Sequence, residues 1–272
     1  MPSTSDAAAS PAKAPLIEVK GLRMAFGRRL IQKDISFTVD AGTIFTIMGG
    51  SGCGKSTLLK HMLGLLTPAS GTICYEGVDF FAATDEQRNQ IRTKLGVLFQ
   101  GSALWSSMTL LENVRLPLER AKICSEDEID GRAREALKLV DLAKFADFLP
   151  SDISGGMKKR AGLARAIAVK PPMLFLDEPS AGLDPVSAKR LDELILAIRD
   201  QTHAAVMIVT HELPSIFAIA DDSIFLDAES KQPIGHGKPT DLRDHSDHPF
   251  VHAFLRREVP PESSDNARVE AA

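Results

Sequence analysis

Residues 49–56 have the sequence Gly49-Gly50-Ser51-Gly52-Cys53-Gly54-Lys55-Ser56, which fits the pattern G-x-x-x-x-G-K-[ST]. An apolar strand pattern over 43–48 precedes it, and a helical pattern over Lys55–Leu66 follows it. Glycines let a backbone come close to phosphate, and a helix N-terminus presents free N–H groups to an anion. Strand, glycine loop and helix in this order predict a nucleotide phosphate site, whereas a chance glycine turn before a lysine would not require this context.

The loop residues differ in the contacts that we expect of them. The backbone N–H groups of Gly52 to Lys55 are expected to surround the β-phosphate, and the Lys55 ammonium to reach the β- and γ-phosphates. The Ser56 hydroxyl is expected to bind Mg²⁺. Cys53 lies where a helix dipole and Lys55 could lower its thiol pKa, although a small side chain could simply fit there. No Asn-Lys pair of the guanine-reading kind occurs, so ATP is favoured over GTP.

Polar side chains follow three further strand patterns. Asp177 and Glu178 follow one apolar run, His211 follows a second, and Gln100 follows a third. Open α/β sheets bind ligands at the C-terminal ends of their strands. We expect Asp177 to hold Mg²⁺ and Glu178 to orient or deprotonate the attacking water. His211 is then a candidate γ-phosphate sensor and Gln100 a candidate contact to Mg²⁺ and water, although each alone would also fit a packing or solvated residue.

A second glycine segment, Ser154-Gly155-Gly156-Met157-Lys158, opens a helical pattern upstream of the Asp177-Glu178 pair. It also combines glycines with a helix N-terminus, so it is expected to bind phosphate. Because the chain already has one phosphate loop, this segment predicts that two copies face each other. Each copy would then complete the ATP site of the other.

Composition restricts the class of protein. The chain has 272 residues, of which 44% are hydrophobic and 25% are charged, as in ordinary globular proteins. A net charge of −4 argues against general nucleic-acid binding. No apolar run is long enough to cross a bilayer, and residues 1–14 are expected to form a disordered tail, since they lack the apolar segment of a signal peptide. The three cysteines lack metal-ligand spacing, which fits a reduced cytosolic protein.

The order of patterns predicts an α/β fold. Short alternating runs before the phosphate loop and at 72–75 predict a small antiparallel sheet. Strands that alternate with helices predict a parallel sheet covered on both faces. Helical signals dominate 101–160, including a capping box of Ser125 with Glu128, which predicts a helical subdomain inserted into the core. Asp184 and Pro185 predict the start of a later helix.

The motifs occur in the order phosphate loop, Gln100, Ser154–Lys158, Met173–Glu178, 180–184 and His211, and this order resembles the ATP-binding subunit of ABC transporters. The resemblance covers nearly everything from Leu16 to Leu242. It implies a P-loop NTPase fold with a RecA-like parallel core, ATP hydrolysis with ATP and Mg²⁺, and a homodimer under an integral membrane permease. It assigns 15–243 to the ATP-binding domain and 244–272 to a C-terminal segment with a disordered end.

The resemblance also implies residue roles. Phe26 stands where an aromatic ring stacks on adenine, and Thr57 would approach the α-phosphate. Ser154 and Gly156 would contact the γ-phosphate of the other subunit, and Asp184 would act at the dimer interface. The remaining nucleotide contacts would come from the two glycine segments, namely Gly49, Gly50, Ser51, Gly52, Cys53, Gly54, Lys55, Ser56 and Gly155.

Met157 replaces the usual Gln of the signature, so ligand contacts there are expected to come from Ser154 and backbone N–H groups. The surrounding segment is similar to the ATPases of MCE-protein lipid transporters, the maintenance-of-lipid-asymmetry type. That branch implies phospholipid cargo, a permease, an MCE-domain protein, a STAS-domain partner, and a peripheral position on the cytoplasmic face of the inner membrane.

Two surfaces are expected to meet these partners. Trp105, Met108 and Leu110 would form an apolar socket for a permease helix, or else belong to the core. Residues 238–259 could dock the STAS-domain partner, or else form a solvated tail. Within them, His245, His248 and His252 could share one helix face and suggest a metal site, although no further ligand supports a closed site.

Three other functions stay open at this point. The cargo could instead be an amino acid, a lipoprotein or a drug. A DNA-repair or ribosome-associated ABC ATPase usually has a coiled-coil insert or paired cassettes, which do not fit 272 residues. A small-molecule kinase with a phosphate loop would not need the Ser154 segment.

Overall fold

A computed structural model of the chain describes residues 14–122 and 124–259, so the predicted tails lie almost wholly outside the described residues. Two sheets form the body of the protein. The first is antiparallel, with strand order β2-β1-β4-β5. Its strands are β1 (Ile17–Phe26), β2 (Arg29–Val39), β4 (Ser70–Tyr75) and β5 (Val78–Asp79). The predicted antiparallel sheet is confirmed, and β1 and β2 are much longer than their sequence patterns indicate because a hairpin extends both.

The second sheet has six strands in the order β10-β9-β3-β8-β7-β6. All neighbours are parallel except β10 with β9. The strands are β3 (Ile44–Gly49), β6 (Leu95–Leu98), β7 (Met173–Asp177), β8 (Ala205–Val209), β9 (Asp222–Leu226) and β10 (Pro233–His236). Because β3, β7 and β8 lie side by side, their C-terminal ends meet at one edge of the sheet.

Both faces of this sheet are buried. Ile44 and Ile208 point into an apolar cluster beneath the helices, whereas Phe45 and Met207, one residue away on each strand, point into a second cluster beneath the antiparallel sheet. Burial on both faces explains why these strands are continuous apolar runs, as the sequence predicts for a covered parallel sheet.

Nine helices lie in the described part of the chain. They are α1 (Lys55–Met62), α2 (Asp85–Thr93), α3 (Leu110–Ala121), α4 (Glu126–Leu139), α5 (Gly155–Ile167), α6 (Pro185–Thr202), α7 (Leu213–Ile219), α8 (Pro239–His245) and α9 (Pro249–Arg256). The predicted capping box of Ser125 and the Asp184 cap are both present. Helix α1 ends four residues before the predicted Leu66. The chain turns at Gly64 (φ 68°), where the Phe80 ring occupies the place that a Cβ would need.

Helices α3, α4 and α5 pack together around buried Leu118, Ala133 and Leu163, and form the predicted inserted helical subdomain, here called the helical lobe. Helix α5 begins in this lobe and continues along the sheet, where Gly162 lies so close to Leu98 that a Cβ would come within 2.7 Å of that side chain. The lobe and the sheet therefore share one apolar cluster. Across the described residues, no helix combines the length and apolar character needed to cross a bilayer.

The C-terminal segment differs from two expectations. Helix α9 is not a solvated tail, because Val251 and Leu255 are buried against β9, and the Phe225 and Phe254 ring centroids are 5.0 Å apart. The expectation that three histidines share one helix face is also wrong. His245 ends α8 and His248 is the N-cap of α9, and the residues between them are not helical. The described residues hold no metal-binding cluster of three ligands.

The burial of α9 can be tested by truncating Leu255, which is 2% exposed. We expect Leu255→Ala to lower the free energy of unfolding by about 2–5 kcal/mol, because it leaves a cavity in a packed cluster. Chemical denaturation measures this change, with exposed Glu258→Ala as the control. Equal stability of the two variants would indicate that α9 does not pack on the body of the protein.

Candidate functional site

The phosphate loop joins β3 to α1. Gly49 has a φ of 140° and pairs closely with β9, so that a Cβ there would lie 2.2 Å from the carbonyl oxygen of Leu226. Gly54 has a φ of 104° and is the N-cap of α1. Having no side chain, it leaves the first N–H groups of the helix open to a ligand. The Lys55 ammonium donates to the carbonyls of Gly49 (2.8 Å) and Gly50 (2.9 Å), which holds it over the loop.

Cys53 is buried beneath this loop, and burial raises the pKa of its thiol. The expectation of a lowered pKa is therefore wrong, because desolvation outweighs the attraction of the Lys55 charge. The small-residue interpretation fits: the Sγ atom lies 2.7 Å from where a Cβ on Gly49 would stand, so a larger side chain would press on the loop.

Gln32 of β2 was missed by the sequence analysis. Its side chain is fully buried, and its Nε2 donates to the carbonyls of Cys53 (2.8 Å) and Asp227 (2.5 Å). The amide thus joins the antiparallel sheet to the phosphate loop and to the end of β9. The available signal was a lone polar residue in a strand whose other inward positions, Ile35, Phe37 and Val39, are apolar.

The structure brings together the predicted acid residues and His211. Asp177 pairs with Val209 at the ends of β7 and β8, and the Glu178 N–H donates to the Val209 carbonyl at 2.8 Å. The Nδ1 of His211 lies 2.8 Å from Oε1 of Glu178. Because an ionised carboxylate only accepts hydrogen bonds, Nδ1 carries the proton in this contact. The Glu178 side chain is nearly buried, and its Oε2 atom has no hydrogen-bond partner among the described residues.

Asp177 has the chemistry of a cation ligand. Its Oδ1 atom is buried and finds no hydrogen-bond partner within residues 14–122 and 124–259. Burial raises the pKa of this carboxyl, and the nearby Glu178 charge raises it further, while Lys60 and Lys55 act in the opposite direction. A buried, unpaired carboxylate oxygen is costly unless a cation or donor compensates it. Asp177 therefore fits a divalent metal ion bound beside the phosphate loop.

Gln100 does not join this group in the structure. It lies two residues beyond β6, and its exposed side chain makes no hydrogen bond to Asp177, Glu178 or His211. The loop after it is fixed by Arg165 of α5, whose guanidinium donates to the carbonyls of Ser102 (2.8 Å) and Ala103 (2.6 Å). These two residues both have left-handed backbones, with φ values of 61° and 48°, so Arg165 holds an unusual turn that the sequence analysis did not foresee.

The second glycine segment lies at the start of α5. Ser154 is its N-cap, and its Oγ accepts from the Met157 N–H at 3.3 Å. Ser154, Gly156 and Leu183 line a groove of about 350 Å³ between α4, α5 and α6, and no residue of 49–56 lines it. Met157 is partly buried, packs against the apolar cluster of the helical lobe and also lines this groove.

The other predicted ligand residues lie at exposed ends of elements. Phe26 ends β1 beside the hairpin turn and is 52% exposed, so one ring face is open to solvent. Ser56 and Thr57 lie in the first turn of α1, the former exposed and the latter half-buried. The Asp184 carboxylate caps α6, accepting from the N–H groups of Val186 and Ser187, both at 3.0 Å.

Comparison with known proteins identifies the family. Residues 32–181 match the family model described as ABC transporter. The chain is also 39% identical, over 94% of its length and 70% of the relative's, to the "Probable ribonucleotide transport ATP-binding protein mkl" of Mycobacterium tuberculosis. The chain belongs to the ABC transporter ATP-binding family. This ABC ATPase hydrolyses ATP, so the predicted family and enzymatic activity are confirmed.

Two further comparisons refine this ABC ATPase. It is 34% identical over 89% of both chains to the "Intermembrane phospholipid transport system ATP-binding protein MlaF" of Escherichia coli. The dimeric ATP-binding cassette MJ0796, solved in a post-hydrolysis state with ADP and Pi, matches it with a TM-score of 0.74 and 29% identity, covering 82% of this chain and 98% of that chain. The α/β fold predicted from the sequence is thereby confirmed.

The role expected of Glu178 can be tested by removing only its charge. We expect Glu178→Gln to bind ATP but to slow hydrolysis by about 10² or more, because an amide cannot accept the proton of the attacking water. Steady-state phosphate release and nucleotide binding measure the two effects. Glu135→Gln, at an exposed glutamate of α4, is the control. Normal turnover by Glu178→Gln would exclude it as the base.

Proposed function

We propose that two copies of this ABC ATPase form the motor of a transporter that moves phospholipid between membranes. One observation carries the paired arrangement: residues of α4, α5 and α6 line the groove at Ser154, and no residue of the phosphate loop 49–56 lines it. Within one copy, the two glycine segments therefore do not share a groove. The dimeric cassette MJ0796, which matches this chain over most of its length, supports a second copy as the source of the missing half.

In this proposal the phosphate loop and Phe26 hold ATP. The Phe26 ring stacks on adenine, Lys55 turns from the loop carbonyls to the β- and γ-phosphates, and Thr57 lies near the α-phosphate. The nucleotide replaces the Gly49 and Gly50 carbonyls as the partner of the Lys55 ammonium. The Lys55 ammonium interacts more strongly with charged phosphate oxygens than with the two neutral carbonyls, and this difference favours binding of the phosphates.

Mg²⁺ fits the oxygen donors that surround the phosphates. The candidate ligands are the Ser56 hydroxyl, the Asp177 carboxylate and, after movement of its loop, the Gln100 amide oxygen. Hard oxygen donors suit this ion, and the unpaired Oδ1 of Asp177 supplies the negative charge. When bound, Mg²⁺ would neutralise charge on the β- and γ-phosphates.

The proposed chemistry of this chain rests on the Glu178 and His211 pair. Nδ1 of His211 holds Oε1 of Glu178, and the carboxylate takes a proton from the attacking water once water reaches it in the assembled site. The His211 side chain is 58% exposed, and its Nε2 can contact the γ-phosphate as a donor only when both ring nitrogens carry a proton.

Closure of the dimer completes the site. The Ser154 hydroxyl and the N-terminal N–H groups of α5, near Gly155 and Gly156, bind the γ-phosphate held by the partner copy. Leu183, the residue before Asp184, lies next to Gly156 and lines the same groove. Asp184 is therefore close to this segment and acts at the contact between the two copies. Hydrolysis removes the phosphate that joined the two copies, and they separate.

The proposed permease contact is an apolar surface of the helical lobe, formed by Trp105, Met108, Phe148 and Leu149. Trp105 is 61% exposed, and Phe148 and Leu149 are also exposed. Asn113, fully buried, fixes the Trp105 loop with four hydrogen bonds. Leu110, expected in this surface, is buried in the core instead, so its alternative role is the correct one.

Similarity to MlaF supports the phospholipid cargo, since the alignment spans nearly all of both chains. On this basis we extend the proposal to an MCE-domain protein in the same complex, a peripheral position on the cytoplasmic face of the inner membrane, and a STAS-domain partner. The STAS-domain partner would contact the outward side of α8 and α9, because their inward side is buried. The mkl protein, whose name indicates ribonucleotide transport, favours another cargo as the alternative.

The cross-subunit site can be tested with Ser154→Arg. We expect a bulky cation at the exposed start of α5 to abolish cooperative hydrolysis while ATP binding to a single copy persists, because the phosphate loop is untouched. Hill coefficients of phosphate release and binding of a fluorescent ATP analogue measure both. Exposed Ser151→Arg, three residues away and outside the groove, is the matched control. Retained cooperativity in Ser154→Arg would rule out the cross-subunit contact.

The cargo can be tested by purifying the tagged chain with its membrane partners. We expect a permease and an MCE-domain protein to co-purify, and the complex in vesicles to move labelled phospholipid to acceptor vesicles only when ATP is hydrolysed. Replacing the phospholipid with a labelled ribonucleotide tests the alternative. ATP-dependent movement of the ribonucleotide, and none of the lipid, would contradict the proposed cargo.

A further inference from the structure

Lys159 connects the helical lobe to the turn that carries Glu178. It lies in the second turn of α5, five residues after Ser154, and is half-buried. Its ammonium donates to the carbonyl of Glu178 at 3.0 Å and also to the carbonyl of Ala181. Both acceptors are backbone atoms of one turn, so the contact depends on the shape of that turn and not on its side chains.

The turn needs such support because of its backbone. Glu178 has a φ of 50°, a left-handed conformation that is strained for a residue other than glycine. Its N–H donates to the Val209 carbonyl, and its own carbonyl accepts from Lys159 and from the Ala181 N–H at 3.3 Å. Both ends of the residue are therefore held, one by β8 and the other by Lys159.

The position of the Glu178 carboxylate follows from this backbone. A left-handed residue directs its side chain differently from an extended one, and here it brings Oε1 to 2.8 Å from His211. If the turn relaxed to a right-handed or extended conformation, the carboxylate would leave that contact. Displacement of a reacting group by about 1 Å can cost 10²-fold in rate.

We infer that Lys159 is a positioning residue for hydrolysis, which holds Glu178 in its reactive orientation and couples it to the Ser154 end of α5. The inference rests on the proposed role of Glu178 as the base. Movement of α5 when Ser154 meets the partner's phosphate would reach the catalytic turn through one side chain. Nucleotide contact at the groove and the orientation of the base in the same copy are then linked.

The charge of Lys159 supports the same role. Burial lowers the pKa of its ammonium, while the carboxylates of Glu178 and Glu212 act in the opposite direction. The two carbonyls that accept from this half-buried ammonium offset part of its desolvation. Its neighbour Lys158 makes no side-chain hydrogen bond in the described structure, so the two adjacent lysines differ in what they contact.

The first test removes the donor and keeps the length of the side chain. We expect Lys159→Met to lower kcat about tenfold or more, with the KM for ATP changed less than twofold, because binding does not involve this residue. Lys159→Arg keeps a cation with several donors and should recover most of the rate. Should Lys159→Met fold poorly, Lys159→Gln serves in its place. Lys138→Met, at an exposed lysine of α4, is the control for loss of charge in the same lobe.

A double variant separates positioning from general damage. If Lys159 acts through the carboxylate, Lys159→Met should cause no further loss of kcat in a Glu178→Gln background, since there is no base left to orient. Losses that multiply, a normal kcat in Lys159→Met, or a change confined to KM would each overturn the inference. Normal turnover by Glu178→Gln alone would instead refute the proposed base, which distinguishes the two failures.

Discussion

The close approach of β9 to the end of β3 is the constraint on which the nucleotide site depends. The Leu226 carbonyl occupies the space of a side chain at Gly49, so the chain must leave the sheet there without one. The same approach places Asp227 within reach of Gln32 and leaves the Cys53 thiol packed beneath the loop. Sheet packing, not the loop by itself, sets where phosphate can bind. Parallel strands then deliver Asp177 and His211 to the same edge.

Motifs that are local in sequence were predicted well. The phosphate loop, the Ser125 capping box and the Asp184 cap each depend on a few adjacent residues, so spacing alone identifies them. The strand ends at Asp177 and His211 were also foreseen, because a parallel sheet gathers its strand ends at one edge. Their hydrogen bond partners were not. The Glu178 and His211 contact requires the register between β7 and β8, which no single segment of sequence contains.

Errors arose where burial decides the outcome. For Cys53, the sequence offers both a charge-lowered thiol pKa and a small side chain that fits, and burial decides for the second. Leu110 was considered within an apolar stripe, but only packing shows that it faces the core while Trp105 does not. The C-terminal histidines were considered on one helix, although the chain leaves helical geometry between His245 and His248. Arg165 and Lys159 hold backbone carbonyls, and because every residue has a carbonyl, the sequence does not show which ones they contact.

The contacts of Gln32 with backbone carbonyls have an evolutionary consequence. Gln32 contacts main-chain oxygen atoms of residues 53 and 227, and every amino acid offers the same oxygen. Substitution at either of those positions leaves the bond available, whereas loss of the amide at 32 cannot be compensated by any change opposite it. Correlated substitution between the positions is therefore not expected, and contact prediction from aligned homologues would overlook the link between the hairpin and the loop. Such one-sided contacts are visible only in three dimensions.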